Sequence, residues 1–352
     1  MVSCAMALNA KSVEETYQIM RARLSKVVPD HELRLKAELA FQVQELKLAR
    51  GAIILGHNYM EPALFNTVPD YTGDSLELSR IAATTKNDPI VFCGVRFMAE
   101  TAKILNPTKT VLLPAKRAGC SLAESISAED IRMLRKQHPN VPIVAYINTY
   151  ADVKAEVDIC CTSGNAARVV ESLKSDTVIF LPDEYLAQNV AQETGKTVMI
   201  MNRDGSLSDA SKRPQVLGWK GRCEVHEKFT TDDIHNVRKQ FPDVVVLAHP
   251  ECSPEVVKAS DYSSSTSKMT SFVANHPKKQ FLILTECSMG DNIIAQNPEK
   301  EIVRLCSIRC PHMNEITLED TLAALRDNVQ VIDVPEPTRT KARRALERML
   351  VI

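Results

Sequence analysis

Three short apolar segments of the chain each end in a pair of polar side chains that could take part in acid–base chemistry or hydrogen bonding. The segments 52–55, 142–145 and 244–247 are rich in valine, isoleucine and leucine, which is typical of buried parallel strands. Ligands of open α/β sheets bind beyond the carboxyl ends of such strands. We therefore expect the three pairs to face one place if the sheets meet around a common axis. The pairs are His57 and Tyr59, Tyr146 and Asn148, and His249 and Glu251.

A hydroxyl-rich loop follows each pair and precedes a predicted helix, at 72–75, 162–164 and 264–267. Serine or threonine at such a place usually caps the helix. Helix N-termini also bind phosphate and carboxylate through free N–H groups and the helix dipole. Three helix ends directed at one centre would suit a substrate with several negative groups. The sequence contains no Walker motif and no GxGxxG, so we do not expect a bound nucleotide.

A cysteine closes each of the three copies, at Cys120, Cys223 and Cys310. If the loops converge they supply three thiolates, which select zinc or an iron–sulfur cluster. Three protein ligands leave one coordination position open, as in catalytic metal sites. Because the sequence has no CxxC pair, two alternatives stay open. One is a zinc site that uses residues within 223–226 and 306–312, and the other is three unrelated loop cysteines.

The remaining histidines and several other cysteines fall outside these repeated positions. His226 follows Cys223 and is a candidate for proton transfer. A lone cysteine is most often a small buried hydrophobe, and we assign Cys93, Cys160 and Cys287 to that class. The histidines expected to be structural or exposed are His31, His138, His235, His276 and His312.

Strand, polar pair, hydroxyl loop, helix, second apolar segment and cysteine recur in this order three times. Alternating strands and helices are common to all α/β proteins. Polar strand ends, hydroxyl loops and closing cysteines in one order indicate a repeat in addition. The sequence therefore predicts an α/β fold of three similar three-layer αβα domains, each with a short parallel sheet.

Helical segments flank the repeats. A capping pattern at 12–15 and helical spacing over 30–50 predict an N-terminal helical segment. After the third copy we expect a helix that ends near Arg326, a strand over 329–334 and a basic amphipathic helix over 335–352. The predicted units are an N-terminal helical segment, 1–47, that packs on the first domain, a first domain, 48–122, joined by 313–352, a second domain, 123–225, and a third, 226–312.

The 352 residues carry a formal net charge of −1, so the chain has no field that would attract nucleic acid or an acidic membrane. No apolar run approaches the roughly 18 residues of a membrane helix, and residues 1–10 lack the features of a signal peptide. We therefore expect a cytoplasmic protein with neither nucleic acid nor membrane as a partner. In that compartment its ten cysteines are expected to be thiols, metal ligands or catalysts rather than disulfides.

Nine motifs stand in order along the chain. They are GHNY (56–59), GDSLE (73–77), GVRFMAETAK (94–103), GCSL (119–122), YINT (146–149), CTSGNA (161–166), WKGRCEVH (219–226), HPEC (249–252) and CPHM (310–313). Together they resemble the quinolinate synthase family, and the resemblance runs from about residue 35 to the C-terminus. The third hydroxyl loop departs from the family pattern because Ser264 stands where a glycine is usual. Some members also have a C-x2-C-x2-C-Pro run at the third ligand, which leaves the role of Cys306 open.

The resemblance implies three domains in a pseudo-threefold arrangement around a [4Fe–4S] cluster held by Cys120, Cys223 and Cys310. It implies condensation of iminoaspartate with dihydroxyacetone phosphate to quinolinate, phosphate and water in NAD biosynthesis, with possible coupling to an enzyme that produces iminoaspartate. It also implies an open iron that acts as a Lewis acid. The substrate-binding and catalytic positions implied are His57, Tyr59, Ser75, Tyr146, Asn148, Ser163, His226, His249, Glu251, Ser265 and Thr266.

Two other functions remain as alternatives. A non-catalytic iron–sulfur protein that senses oxygen or carries electrons would explain the cysteines but leave the polar strand ends without a role. A binding module with a structural zinc is the other. Metal analysis distinguishes zinc from iron and sulfide, and an assay for quinolinate formation distinguishes an enzyme from a sensor.

Overall fold

The computed structural model describes residues 3–4, 8–209, 211–305 and 308–352. Within these residues, three sheets built almost wholly of parallel strands lie among helices, which confirms the predicted α/β class. Each sheet contains the strands of one copy of the sequence repeat, which we call a unit. The first strand of the unit lies between its second and third strands, and the strand that leads to the cysteine loop lies beside the third strand. None of the described helices has the length and apolarity needed to cross a bilayer.

The first sheet has the strand order β1-β3-β2-β4-β5, in which β1 is antiparallel to its neighbour. Strand β1 precedes the two N-terminal helices, and the other four strands follow them. The strand β1 was not expected from the sequence, which predicted only helix before residue 47. The elements are β1 (Ser3–Cys4), α1 (Val13–Leu24), α2 (Asp30–Arg50), β2 (Ile53–His57), α3 (Pro62–Phe65), β3 (Tyr71–Gly73), α4 (Ser75–Thr84), β4 (Ile90–Cys93), α5 (Arg96–Leu105) and β5 (Val111–Leu112).

The second sheet is wholly parallel and has the order β7-β6-β8-β10-β9. Its strands β7-β6-β8-β10 correspond to β3-β2-β4-β5 of the first sheet, and β9 lies at the edge beside β10. The elements are α6 (Ser121–Glu124), α7 (Ala128–Gln137), β6 (Ile143–Tyr146), α8 (Ala151–Lys154), β7 (Ile159–Cys161), α9 (Ala166–Ser172), β8 (Val178–Leu181), α10 (Glu184–Glu193), β9 (Val198–Ile200) and β10 (Val216–Gly218).

The third sheet is also parallel, in the order β12-β11-β13-β14. A 3₁₀ turn, His226–Lys228, precedes it and another, Met313–Glu315, follows it. The other elements are α11 (Thr231–Gln240), β11 (Val245–Ala248), α12 (Pro254–Ala259), β12 (Tyr262–Ser263), α13 (Thr266–Asn275), β13 (Gln280–Leu284), α14 (Cys287–Gln296) and β14 (Glu301–Val303).

Two helices end the chain, α15 (Leu318–Asp327) and α16 (Glu336–Leu350). Helix α15 packs on α2 and β4, whereas α16 contacts α5 of the first sheet and α8 and β7 of the second. The strand predicted over 329–334 is wrong, because Val331 forms only an isolated bridge to Leu112. Asn328 and Gln330 have φ angles of 54° and 58°, which an extended strand cannot accommodate.

An aspartate directly before each second strand ties that strand to the first strand of its sheet. Its carboxylate accepts the N–H of a first-strand residue and pairs with a cation on the helix that precedes the first strand. Helix, first strand and second strand are thereby fixed together in the same way three times, which brings the strand ends to equivalent places. The N–H contacts are Asp70 to Ile54 at 2.8 Å, Asp158 to Ile143 at 2.7 Å and Asp261 to Val246 at 2.8 Å, and the cations are Lys47 at 2.8 Å, Arg135 at 2.8 Å and Arg238 at 2.9 Å.

The repeat extends beyond each cysteine. A single helical turn follows Cys120, Cys223 and Cys310, and a ten-residue helix follows each turn. The N-cap of each of these helices is a serine or threonine whose hydroxyl accepts the N–H of an aspartate three residues later. Each cysteine therefore lies in a rigid connection rather than in a long loop. The pairs are Ser127 and Asp130, Thr230 and Asp233, and Thr317 and Asp320.

Candidate active site

The three pairs of strand-end side chains line one cavity between the three sheets. Within each pair the first residue lies at or just after the end of the strand and the second lies in the turn or bend that follows it, and both side chains line the cavity. Ser265 is the buried N-cap of α13 and is not among the side chains that line the cavity, so its predicted role stays a prediction. The predicted site residues that line the cavity are His57, Tyr59, Ser75, Cys120, Tyr146, Asn148, Ser163, Cys223, His226, His249, Glu251, Thr266 and Cys310.

The Glu251 carboxylate is the centre of the polar contacts in this cavity. It lies 2.6 Å from Nδ1 of His226 and 3.7 Å from Nδ1 of His249. Asn148 donates an amide N–H to it at 3.3 Å, and Tyr146 hydrogen bonds to it. Burial raises its pKa, but the adjacent His226 outweighs burial and lowers the pKa of Glu251 to about 2. Glu251 is therefore a fixed negative charge in a buried site.

A hydrogen-bonded chain of side chains leads from Glu251 to Tyr59. Nε2 of His226 lies 2.8 Å from the Thr285 hydroxyl, which also hydrogen bonds to the Tyr59 hydroxyl. Burial first, and then the charge of Glu251, raise the pKa of Tyr59 well above its usual value. The phenol is thus neutral and is joined through Thr285 to an imidazole that can accept a proton.

Thr285 is a functional candidate that the sequence analysis missed. It directly follows β13, and it is buried behind Tyr59 and His226. Polar residues were sought only after the first strand of each unit. A search at the ends of the third strands would have met Gly94, Pro182 and Thr285, of which only the threonine can relay a proton.

His57 and His249 are buried neutral histidines. Burial lowers the pKa of each to about 3, and the charge of Glu251 offsets burial only in part. Each ring also accepts the backbone N–H of the residue two positions later, at 3.3 Å, through Nδ1. That contact leaves Nε2 as the protonated nitrogen, so each ring can donate a hydrogen bond to a ligand oxygen.

The hydroxyls at the three helix starts are not used as helix caps. Asp74, not Ser75, caps α4, and neither Asn165 before α9 nor Ser265 before α13 makes a side-chain cap. Thr266 accepts a hydrogen bond from the Asn58 amide at 2.8 Å. Ser75, Ser163 and Thr266 therefore do not cap these helices, and their hydroxyls can donate to a ligand. The hydroxyls of Thr162 and Ser267 are engaged within the protein, by the N–H groups of Gly164 and Asp74 respectively.

Each of the three cysteine sulfurs accepts hydrogen bonds in the same way. Burial raises the pKa of every one of these thiols, to about 12 for Cys120 and about 11 for Cys310. The backbone N–H groups of the second and third residues after each cysteine bond to its sulfur and favour the thiolate. Hydrogen bonds of this kind tune the sulfurs of iron–sulfur sites. The N–H donors are Leu122 and Ala123, Val225 and His226, and His312 and Met313.

The three cysteines suit a shared metal group. They line one cavity, the charge of Cys310 raises the pKa of Cys120, and the charge of Cys120 raises that of Cys223. A metal would displace the protons of thiols that burial otherwise keeps neutral, and its positive charge would offset the repulsion between the resulting thiolates. Cys306, the other cysteine considered for the third ligand, lies outside the described residues.

A second set of possible metal ligands consists of Cys223, His226 and Glu251, whose donor atoms all lie within 4.8 Å of one another. The 2.6 Å distance between His226 and Glu251 is a hydrogen-bond distance. Two ligands of one tetrahedral zinc are about 3.3 Å apart, given metal–ligand bonds of about 2.0 Å. The geometry thus favours an acid–base pair over a zinc site here.

His312 departs from its expected class, because it lines the cavity and lies 3.1 Å from the carboxylate of Glu224. Cys93 and Cys160 are buried small side chains as expected, whereas Cys287 is only half-buried at the start of α14. His312 stands outside the three polar pairs, but it belongs to the CPHM motif that contains Cys310, and that motif is the sequence signal that places it at the site.

A buried cavity with coupled acid–base side chains and clustered cysteines is the arrangement of an enzyme active site. Residues 41–351 match the family model described as quinolinate synthetase A protein. The chain therefore belongs to the quinolinate synthase family, which confirms the resemblance seen in the sequence motifs.

Relatives that are named quinolinate synthases match nearly the whole chain. It is 47% identical over 341 residues to quinolinate synthase 2 of Mesorhizobium japonicum, with 97% of this chain and 99% of that protein covered. It is 49% identical over 330 residues to quinolinate synthase of Agrobacterium fabrum, with 94% and 90% covered. It is 50% identical over 308 residues to quinolinate synthase of Xylella fastidiosa strain Temecula1, with 88% and 85% covered.

Proposed function

We propose that this chain condenses iminoaspartate with dihydroxyacetone phosphate to form quinolinate, phosphate and water. Membership of the quinolinate synthase family supports the product. The observation that carries the proposal is one cavity lined by Glu251, His226 and Tyr59, two neutral histidines and three equivalent cysteines, with Thr285 joining His226 to Tyr59 from behind the cavity wall. These groups match a reaction that moves several protons and removes phosphate and water.

Cys120, Cys223 and Cys310 would hold a [4Fe–4S] cluster. When bound, that cluster supplies a Lewis acid at the one iron without a cysteine ligand. The N–H groups that follow each cysteine would stabilise the sulfurs in their thiolate form. The protein itself would then contribute orientation and proton transfer.

Proton transfer at the substrate would start at Tyr59. Glu251 accepts the Nδ1–H of His226 and leaves Nε2 as an acceptor for the Thr285 hydroxyl. As the Tyr59 proton passes to Thr285, the Thr285 proton can pass to His226, which the negative charge of Glu251 stabilises as a cation. Tyr59 can thus act as a base despite its raised pKa, and it can return the proton to a departing hydroxyl.

The hydroxyl-bearing helix ends would bind the acidic groups of the substrates. Ser75 and Ser163 reach the cavity from the first and second sheets, and Thr266 reaches it at the start of the ten-residue helix α13. Phosphate and carboxylate are both suited to helix N-termini. His57 and His249 would donate hydrogen bonds to substrate oxygens, because burial keeps their rings neutral.

The proposed reaction has consequences for the supply of its substrate and for the compartment in which the protein works. Iminoaspartate must come from an enzyme that produces it, so we propose functional coupling to such an enzyme. The eight cysteines whose side chains the structure describes are free thiols, which fits a reducing, cytoplasmic compartment.

The test is anaerobic purification followed by iron and sulfide analysis and an assay of quinolinate formation. We expect about four irons and four sulfides per chain and quinolinate from the two substrates. Zinc in place of iron would contradict the cluster. A loaded cluster with no quinolinate formed would contradict the enzyme and favour the sensor.

A further inference from the structure

The backbone beside the catalytic side chains is held by the same hydrogen-bonding arrangement in all three units. It acts on the four-residue segments 57–60, 146–149 and 249–252, whose first and third side chains line the cavity. In each segment the carbonyl groups of the second and fourth residues accept hydrogen bonds from one buried side-chain nitrogen. We call each such group a carbonyl clamp. The donors are Asn292 in the first segment, Lys154 in the second and Asn189 in the third.

The two asparagine clamps have nearly identical geometry. Asn292 donates from Nδ2 to the carbonyl oxygen of Asn58 at 3.1 Å and to that of Met60 at 2.9 Å. Asn189 donates to the carbonyl oxygens of Pro250 at 2.8 Å and Cys252 at 2.9 Å. The residues between the clamped carbonyl groups are Tyr59 and Glu251.

The third clamp uses a lysine. Nζ of Lys154 donates to the carbonyl oxygens of Ile147 and Thr149. The residue between them is Asn148, which bonds to Glu251. Lys154 is wholly buried, and its ammonium lies 5.4 Å from the centre of the Phe97 ring.

Each asparagine donor lies in a helix of one unit and clamps a segment of a neighbouring unit. Asn189 and Asn292 are each the sixth residue after the N-cap of the helix that follows the third strand, in α10 and α14. Helix α14 clamps a segment of the first sheet, and α10 clamps a segment of the third. The equivalent position in α5 is Thr101, whose hydroxyl bonds within its own helix at 2.8 Å. In the second segment Lys154 supplies the donor that Thr101 does not.

We propose that Asn189, Asn292 and Lys154 are positioning residues for catalysis, and that they act by fixing the peptide planes on both sides of Glu251, Tyr59 and Asn148. This inference rests on the proposed function. The donors do not line the cavity, so they act only through the residues that they clamp. A small displacement of a reacting group can reduce a rate by about 100-fold. Tyr59 and Glu251 are the two ends of the proton-transfer chain, so their clamps should affect turnover.

Asparagine-to-leucine variants separate positioning from stability, because leucine keeps the volume and removes the donor. The test variants are Asn292→Leu and Asn189→Leu in anaerobically loaded enzyme. The matched control is Asn106→Leu. Asn106 is also a buried asparagine that bonds to two carbonyl groups, those of Ala82 at 2.6 Å and Ala102 at 3.1 Å, but it lies outside the cavity. The measurements are kcat, KM, iron content and the unfolding temperature, with kcat taken well below that temperature.

We expect both test variants to keep their iron and to lose about 10- to 100-fold in kcat, with a much smaller change in KM. The control should unfold at a lower temperature and keep the wild-type kcat. If a leucine variant does not fold, Asn292→Ala and Asn189→Ala replace it, since alanine cannot crowd the site.

Two results would overturn the inference. The first is a folded, iron-loaded variant with wild-type kcat. The second is a loss of kcat in Asn106→Leu equal to that in the test variants. That result would show that removing any buried asparagine lowers kcat, so the clamps would have no special role in positioning. Wild-type enzyme that forms no quinolinate would instead overturn the proposed function together with this inference.

Discussion

At the scale of single residues, the site combines a buried carboxylate that stays ionised with two buried histidines that stay uncharged. Burial alone would neutralise a carboxylate, but the adjacent His226 keeps the pKa of Glu251 at about 2. Burial does keep His57 and His249 neutral, with pKa values near 3. The protonation states at neutral pH are therefore set by the surroundings, and His226 is the imidazole placed to accept a proton from Thr285.

We expect Thr285→Val to lose activity without losing the cluster. Valine keeps the shape of threonine but removes the hydroxyl that joins Tyr59 to His226. Proton transfer through a positioned group contributes about 10²–10⁴-fold to rate, so kcat should fall by that order. The measurements are kcat, KM and iron content, with Thr101→Val as the matched buried-threonine control. A Thr285→Val enzyme with wild-type kcat would remove Thr285 from the mechanism.

Thr266 is predicted to bind the phosphate or a carboxylate of a substrate. Thr266→Val should weaken binding by about 1.5–3 kcal/mol, the value of a hydrogen bond to a charged group. Calorimetric titration of the loaded enzyme with quinolinate measures this change for a carboxylate, and KM for dihydroxyacetone phosphate measures it for the phosphate. Ser265→Ala is measured in parallel, because the family resemblance implies that Ser265 also binds substrate although its side chain is not among those that line the cavity. Weaker binding in that variant too would keep Ser265 among the substrate-binding residues. Unchanged affinity for both ligands in Thr266→Val would contradict the assignment.

Cys310 is predicted to be the third cluster ligand, and Cys306 is not. Cys310 lines the cavity, and its sulfur accepts two backbone N–H groups as those of Cys120 and Cys223 do. In anaerobic preparations Cys310→Ser should lose most of the iron and all activity. Cys306→Ser and the control Cys287→Ser should keep both. Iron loss in Cys306→Ser with retention in Cys310→Ser would reverse the assignment.

At the scale of elements, equivalent connections recur around each sheet. An aspartate ties the first two strands together, a helical turn follows each cysteine, and a hydroxyl-capped helix follows the turn. Strand ends in parallel sheets have few backbone partners of their own. These contacts therefore determine how accurately the catalytic side chains are placed.

The aspartate ties should contribute measurably to stability. Asp158→Ala removes the 2.7 Å bond to the Ile143 N–H and the ion pair with Arg135. We expect the free energy of unfolding to fall by about 1.5–3 kcal/mol, since the bond joins a charged group to the backbone. Urea denaturation measures this change. The control is Asp243→Ala, because Asp243 is 95% exposed and pairs only with Lys278 in an ion pair of a kind worth about 0–1 kcal/mol. Equal losses in the two variants would contradict the prediction.

At the scale of the whole molecule, stability should depend on pH through the buried histidines. Their pKa is about 3 in the folded chain and 6.5 in the unfolded chain, so the unfolded chain binds more protons between these values. Their contribution is complete above pH 6.5 and is lost as the pH falls. Each histidine should lower the free energy of unfolding by up to about 1.4 kcal/mol per pH unit in that window.

Urea denaturation of the metal-free protein between pH 7 and pH 5 measures this slope. His57→Asn should reduce it, and His235→Asn, at an exposed position, should leave it unchanged. A slope that is the same in His57→Asn as in the wild type would show that His57 titrates normally in the folded chain.

The amino-acid order was sufficient to predict the α/β class, the threefold repeat of strand, hydroxyl loop and cysteine, and the family. Local patterns carry this information, because buried strands, helix starts and cysteine motifs each leave a signature within a few residues. The strand predicted over 329–334 failed because an apolar, β-branched run does not reveal the positive φ angles at Asn328 and Gln330.

Only the tertiary structure decided which residues meet. Thr285 joins Tyr59 to His226 although the three are far apart in sequence. Asn292 clamps the segment that contains Tyr59, and Asn189 clamps the one that contains Glu251. Contacts between sheets leave no signature within a few residues of sequence, because they depend on how whole units pack. Burial also depends on how the units pack. The neutrality of the histidines and the charge of Glu251 therefore follow from the assembled cavity rather than from residue type.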